Sequence, residues 1–161
     1  MDLLLINFEG FNIGNQFYPK EFAYSALNIE YFSGVVYIDL SQDLWLSLPK
    51  QTQRVFQWKT ANIHKLGWSS SPCGTVKIDY ITNFLGFYSQ FFTLAALDKT
   101  KAQFLSGICS VDVKFIGDIY NIPELPIKSS ISCGYQFHRL NPSICAFSTV
   151  LNAADYIRSL K

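Results

Sequence analysis

Three side chains that commonly bind metal ions lie close together near the end of the sequence. Cys133, His138 and Cys145 fall in the spacing C-x4-H-x6-C, directly before an amphipathic helix expected over residues 146–157. Thiolate and imidazole ligands suit a borderline-soft ion such as zinc, and a structural zinc site normally has four ligands. The pattern therefore predicts a zinc site completed by a residue from a distant strand. The spacing is not that of a standard zinc finger, so two buried cysteines and a partly exposed histidine are the alternative.

A second group of residues combines cations with tryptophans in the middle of the sequence. A helix expected over residues 49–61 and the loop that follows it carry Lys50, Arg54, Lys59, Lys65, Trp58 and Trp68. Cations that contact phosphates, beside aromatic rings that stack on bases, are a common means of holding single-stranded nucleic acid. The pattern therefore indicates a site for single-stranded RNA. A solvated helix whose tryptophans pack inward is the alternative interpretation.

Two further cysteines lie in less distinctive surroundings. His64 and Cys73 share a loop rich in Ser, Gly and Pro, where they could begin a second metal site or form a nucleophile with its base. Neither has a glycine-rich elbow or a recognisable partner nearby, so an ordinary loop is the simpler interpretation. Cys109 is expected to be a small core residue.

The composition indicates one domain, residues 1–161, with 49% hydrophobic, 16% aromatic and 16% charged residues. No apolar run approaches the roughly 20 residues of a membrane span, and the N-terminus lacks the basic start of a signal peptide. Four cysteines without a secretory signal favour reduced thiols in the cytoplasm or nucleus. The net charge of +1 gives no support for nucleic acid. Few charges and many aromatic residues favour a protein partner.

The elements that must position these residues follow from apolar periodicity and turn signals. We expect strands over residues 3–8, 16–27, 31–40, 91–97 and 111–116, and helices over 49–61, 76–88, 99–107 and 146–157. A loop over residues 121–132 should lead to Cys133. The resulting order β-β-β-α-α-β-α-β-α indicates an α/β fold of RNase H-like topology. Its mixed sheet has three antiparallel strands followed by two parallel strands and is flanked by helices.

The chain resembles the Maelstrom domain, an RNase H-like module related to DEDDh 3′-5′ exonucleases and found in animal piRNA-pathway proteins. The resemblance spans most of the chain and rests on residues 3–9 and 17–23 and on the terminal Cys…His…Cys-Ala-Phe block. It implies a zinc-binding quartet of Glu, Cys, His and Cys. The matching positions are Glu21, Cys133, His138 and Cys145. From the residues alone, Glu21 could equally be a solvated strand carboxylate, although its alternation phase places it on a less polar face.

The resemblance also implies where catalytic residues would lie. DEDDh exonucleases carry Asp-x-Glu in the first strand, and these carboxylates hold two metal ions about 3.5–4 Å apart. The corresponding residues here are Asn7 and Glu9, and an amide cannot supply the anionic bridge between two divalent cations. Asp98 follows the fourth strand, and Asp155 lacks a histidine at the family's spacing. Glu9 and Asp98 are then residual acids, for which a turn and a helix N-terminus are the simpler roles.

Three functional hypotheses follow, and they belong to different classes. The favoured one is a catalytically degenerate RNase H-like module with a structural zinc ion, which binds single-stranded RNA or a protein in RNA silencing of the piRNA kind. The second is an active ribonuclease, either metal-dependent or metal-independent. The third is a pure protein-interaction module of viral or transposon origin.

Overall fold

The computed structural model describes residues 2–69, 71, 73–121, 138 and 145–161 of the chain. It has an α/β fold with a six-stranded mixed sheet in the order β4-β3-β2-β1-β5-β6. The strands are β1 (Asp2–Ile13), β2 (Gln16–Ala26), β3 (Ser33–Ile38), β4 (Thr75–Val76), β5 (Phe92–Ala96) and β6 (Val113–Phe115). Strands β1, β2 and β3 pair in antiparallel fashion, whereas β5 is parallel to β1 and β6 is parallel to β5. The predicted α/β fold with a mixed sheet flanked by helices is therefore confirmed, and β4, parallel to β3, is an additional edge strand.

Five α-helices flank the sheet within the described residues. They are α1 (Gln42–Ser47), α2 (Lys50–Lys59), α3 (Asp79–Tyr88), α4 (Lys99–Cys109) and α5 (Ala146–Ser159). Helix α2 continues into a π-helical turn, Thr60–His64, and a 3-10 turn, Ile116–Asp118, follows β6. The sequence predicted α2 to α5 but not α1 or the two-residue edge strand β4. The predicted loop over residues 121–132 lies outside the described residues, apart from Asn121.

The alternation of side chains in β1 divides the core between the two faces of the sheet. Leu4 and Ile6 face the larger cluster, which helices α2, α3 and α4 cover, while Leu3 and Leu5 face α5. Helix α5 contributes an apolar stripe of small and branched side chains, which allows it to lie close across β1 and β2. The smaller core therefore holds the last helix directly over the two central strands.

A β-bulge near Gly10 sets the direction of side chains in β2. Glu9 pairs with Glu21 and Gly10 pairs with Pro19, so Lys20 is the extra residue. A Cβ atom on Gly10 would lie 2.1 Å from the carbonyl oxygen of Tyr18, which is why only glycine fits there. The bulge also allows a proline within a central strand. Directly after the bulge, Glu21 is placed on the face covered by α5.

None of the helices in the described ranges is both long enough and apolar enough to cross a membrane.

Candidate metal centre

Glu21 is a fully buried carboxylate between the sheet and the last helix. Its Oε1 accepts a 2.6 Å hydrogen bond from the backbone N–H of Ala146, the first residue of α5. Its Oε2 accepts a 3.2 Å hydrogen bond from the hydroxyl of Tyr37 on β3. The positive end of the helix dipole favours an anion at this point. The alternative of a solvated strand carboxylate is wrong, because the side chain of Glu21 is 0% exposed.

His138 lies beside this carboxylate and is oriented by hydrogen bonds at both ring nitrogens. Nδ1 is 3.2 Å from Oε2 of Glu21, and Nε2 lies 2.7 Å from the carbonyl oxygen of His64. A backbone carbonyl can only accept a hydrogen bond, so Nε2 carries a proton. This arrangement turns Nδ1 toward Glu21 and is the usual support for a histidine that binds metal. His138 is buried, which excludes the partly exposed histidine of the alternative interpretation.

Cys145 completes the group from the start of the last helix. It is the N-cap residue of α5, and its Sγ accepts a hydrogen bond from the backbone N–H of Ser148 at 3.5 Å. Cys145 is fully buried and also hydrogen-bonds to His138. Because a helix N-terminus favours negative charge, the fold places both candidate anionic ligands, Cys145 and Glu21, where their charge is stabilised.

Glu21, His138 and Cys145 form a group that could hold a metal ion. Their ligand atoms all lie within 4.8 Å of one another, and it is the one group of three or more such residues in the part of the chain that is described. A tetrahedral ion with bonds of about 2.0–2.3 Å would draw the more distant of these atoms closer together. Carboxylate, imidazole and thiolate are all suitable donors. The predicted ligand Cys133 lies outside the described residues.

The two histidines of the chain are driven to opposite protonation states. Burial disfavours the charged ring of His138, but hydrogen bonds to Cys145 and Glu21, the charge of Glu21 and the carbonyl of His64 outweigh it and raise the pKa of His138 to about 10. Burial, together with the positive charges of His138 and Lys59, lowers the pKa of His64 to about 4. Without metal, the centre is therefore a buried imidazolium–carboxylate pair. A metal ion would take the place of the proton on Nδ1 of His138.

A lysine lies where a first-strand metal would be expected from the resemblance. Nζ of Lys101 donates hydrogen bonds to Oδ1 of Asn7 at 2.7 Å and to Oε1 of Glu9 at 3.0 Å. The ammonium group also lies 5.4 Å from the ring centroid of Phe8. One cation thus hydrogen-bonds to both polar side chains in the middle of β1.

The other residual acid has a structural role in the described residues. Asp98 is the N-cap of α4, and its Oδ1 accepts a hydrogen bond from the backbone N–H of Lys101 at 3.0 Å. Asp155 forms an exposed ion pair with Arg158 on α5. These contacts fit the simpler roles of a helix-capping acid and a surface acid.

The predicted RNA-binding residues divide into exposed and buried members. Lys50, Arg54 and Trp58 are exposed on α2, while Lys59 and Lys65 are half-buried. Trp68 is 5% exposed, and its Nε1 donates a hydrogen bond to the carbonyl oxygen of Ser41. It lines a cavity of about 620 Å³, as does Lys65. The group is therefore not one continuous exposed surface, since Trp68 is buried.

The remaining cysteine predictions have separate outcomes. Cys73 is exposed and His64 is buried, and neither belongs to the metal-binding group. Nδ1 of His64 accepts a hydrogen bond from the backbone N–H of Leu66, so the proton of the neutral ring is on Nε2. Nε2 has no hydrogen-bond partner among the described residues. Cys109 is a buried core residue, as predicted.

Three residues support these sites in ways that were not predicted from the sequence. Tyr37 and His64 contact the metal-binding group through atoms that no sequence pattern distinguishes. Lys101 did leave a signal, because it lies in the first turn of α4, where the helix dipole disfavours a cation. The hydrogen bond from Lys101 to Glu9 on β1 compensates for this unfavourable position.

Comparison of the chain with known protein families, with curated proteins and with solved structures found no match. The fold and site define an α/β protein with a buried group, able to hold a metal ion, where the last helix meets the central strands.

Proposed function

We propose that this chain is a catalytically inactive RNase H-like domain that contains a structural zinc ion and binds single-stranded RNA. The observation that carries the proposal is the buried group formed by Glu21, His138 and Cys145 at the junction of β2 and α5. In this proposal Cys133 is the fourth ligand. The resemblance to the Maelstrom domain supports a role in RNA silencing, in the cytoplasm or nucleus.

The donor set supports zinc over harder divalent ions. Thiolate and imidazole ligands bind zinc well, whereas magnesium and calcium prefer sites made entirely of oxygen. All three side chains are buried, as is usual for a closed structural site rather than a catalytic one. The ion would link β2 to the start of α5, and its binding would contribute directly to the free energy of folding.

The contacts of Lys101 support the absence of nuclease activity. Two-metal catalysis needs carboxylates free to bind two divalent cations. Here Glu9 is paired with an ammonium group, and Asn7 is an amide that accepts a hydrogen bond from the same group. Asp98 caps a helix. The residual acids therefore have other partners in the fold.

The test of the metal centre is elemental analysis of the untagged protein combined with matched cysteine variants. We expect one zinc ion per chain, and we expect Cys145→Ser and Cys133→Ser to lose it and to lower the free energy of unfolding by several kcal/mol. Cys73→Ser is the control, because Cys73 is exposed and lies outside the group. A metal-free wild-type protein, or a Cys145→Ser variant that melts like wild type, would contradict the proposal.

Protein interaction is a second candidate function. Phe87 and Phe91 are both exposed at the end of α3, with their ring centroids 5.3 Å apart. Two adjacent exposed aromatic rings are a common feature of protein-binding surfaces. Changing both residues to Ser should abolish partner binding without affecting RNA binding, and pull-down and RNA-binding assays on this double variant would distinguish the two functions.

A further inference from the structure

The cavity beside α2 combines an aromatic floor with a polar rim. Phe11, Phe56 and Trp68 form the floor and are at most 5% exposed, while Gln57 and Lys65 lie at the rim. The volume of about 620 Å³ falls within the usual range of ligand-binding pockets, about 300–1,000 Å³.

The aromatic floor is fixed by its own packing. The rings of Phe56 and Trp68 are nearly parallel, with an interplanar angle of 9° and centroids 6.1 Å apart. Phe11 packs against both rings, at centroid distances of 5.1 and 5.3 Å. The hydrogen bond from Trp68 to the carbonyl of Ser41 orients the indole ring. These contacts keep the floor in place, so a flat ligand could stack on it with little reorganisation.

The backbone at the rim departs from regular helix. Helix α2 passes into the π-helical turn, and Thr60 and Ala61 of that turn line the cavity. Lys65 follows the turn and has a φ of 57° in the left-handed region. Nζ of Lys65 hydrogen-bonds to the carbonyl oxygen of Ala61. Single π-helical turns are frequent at functional sites, and this one places an amine at the mouth of the cavity.

Positive charge extends from the cavity along one side of α2. Residues three or four positions apart lie on the same side of a helix, so Lys50, Arg54 and Gln57 form one stripe. Gln57 lines the cavity, and Arg54 and Lys50 continue the stripe away from it. Helix α2, which is described in full, contains no acidic residue. A ligand with a flat ring and an attached chain of negative charges would complement both the aromatic floor of the cavity and the positive stripe on α2.

We propose that this cavity binds one unstacked base of single-stranded RNA, while neighbouring phosphates lie along Lys65, Arg54 and Lys50. The inference rests on the proposed RNA-binding function and adds the place where a base is held. Aromatic rings stack on every base, so the cavity would favour unpaired over paired strands and show little sequence preference.

The test uses a substitution that fills the mouth of the cavity and leaves its buried aromatic floor unchanged. Ala61 is exposed and lines the cavity, so Ala61→Phe should occupy the space that a base would take. Ile63→Phe is the matched control, because Ile63 is exposed on the same turn but does not line the cavity. The probes are a labelled 12-nucleotide uridine RNA and a 12-unit sugar-phosphate chain without bases, both followed by fluorescence anisotropy. Thermal melting would verify that both variants fold.

We expect wild type and Ile63→Phe to bind the uridine RNA about tenfold or more tightly than the chain without bases. Ala61→Phe should lose that preference and bind both probes equally. If Ala61→Phe retains the preference, the base lies elsewhere and the cavity proposal is wrong, although the RNA-binding function stands. If wild type binds neither probe at low salt, the RNA-binding function fails, and the cavity proposal fails with it.

Discussion

At the scale of single residues, Lys101 shows how one side chain can change the chemistry of a site. Its ammonium group is hydrogen-bonded to Asn7 and Glu9, two positions where the resemblance would place carboxylates that bind metal. A fixed cation neutralises Glu9 without the entry of a metal ion. Changing Asn7 alone to Asp would therefore give Lys101 a second acidic partner and would not give a carboxylate free to bind a metal ion.

The contacts of Lys101 predict how a double variant should bind metal. Asn7→Asp combined with Lys101→Met should bind Mn²⁺ at least about tenfold more tightly than wild type, because two carboxylates then lie side by side on one face of β1 without a competing cation. Isothermal titration calorimetry would measure the difference. Asn7→Asp alone is the control and should gain little, since Lys101 remains. Equal affinity in the double variant and wild type would show that these residues do not converge on a metal position.

His64 predicts a dependence of stability on pH. Its pKa in the folded state is lowered from 6.5 to about 4 by burial, by His138 and by Lys59. The unfolded chain therefore binds more protons between these values, and stability is lost as the pH falls from about 6.5 to 4. The loss can reach about 3 kcal/mol. His64→Asn keeps an acceptor for the N–H of Leu66 but cannot titrate, so it should flatten this slope.

Urea unfolding of both proteins at several pH values would measure the effect. The two proteins must be compared at the same metal content, because the loss of a metal ion in acid also lowers stability. Carboxylates titrate in both proteins and cancel in the difference. Parallel pH curves for wild type and His64→Asn would mean that His64 is not the group responsible.

At the scale of elements, α5 is held to the sheet at both of its ends. Its N-terminus meets Glu21 through the N–H of Ala146. Near its C-terminus, the guanidinium group of Arg158 donates hydrogen bonds to the carbonyl oxygens of Ala26 and Leu27, each at 2.8 Å. Between the two ends, the helix buries apolar side chains against β1 and β2. The metal-binding group therefore attaches the N-terminal end of α5, and Arg158 attaches its C-terminal end.

The second attachment gives a prediction that is independent of metal. Arg158→Met should lower the free energy of unfolding by about 1–3 kcal/mol, because two carbonyl groups lose a charged donor. Asp155→Asn is the control: Asp155 is 69% exposed, and its ion pair with Arg158 should contribute less than about 1 kcal/mol. Urea unfolding curves would provide the change in the free energy of unfolding for both variants. A variant of Arg158 as stable as wild type would show that water replaces these contacts at no cost.

Long and regular strands and helices could be predicted from the sequence, whereas short or irregular ones could not. Strands β1 to β3 and helix α5 could be predicted because long apolar patterns and turn residues agree there. Strand β4 has two residues and helix α1 has six, too few for a period to emerge. Alternation placed Glu21 on the less polar face, but the bulge near Gly10 does not follow from alternation. Long-range partners such as Lys101 and Glu9, 92 positions apart, leave no local pattern.

At the scale of the whole molecule, the metal-binding group and the proposed RNA site meet at one residue. The backbone carbonyl of His64 accepts a hydrogen bond from His138. The imidazole ring of His64 packs edge-on against Phe11 in the cavity floor, with centroids 5.0 Å apart. His64 also ends the π-helical turn that lines the cavity. Order at the metal-binding group therefore supports the wall of the cavity, although the two lie on opposite faces of β1 and β2.

The distribution of charge across the molecule leads to the last prediction. The net charge of +1 provides no general attraction for RNA, so binding must depend on local cations. Three phosphate contacts, from Lys50, Arg54 and Lys65, predict that log K falls with log salt with a slope of about −2 for a single strand. Lys50→Glu with Arg54→Glu leaves only the contact from Lys65, so it should reduce the slope to about −0.7 and weaken binding at low salt.

The matched control for that experiment changes the same number of charges elsewhere. Lys114 on the edge strand β6 and Lys161 at the end of the chain are both exposed, and neither lines the cavity. Changing both to Glu should preserve the slope, because a contact-based effect depends on position and not on net charge. If both double variants lose affinity equally, RNA responds only to total charge, and neither the stripe on α2 nor the cavity beside it selects the strand.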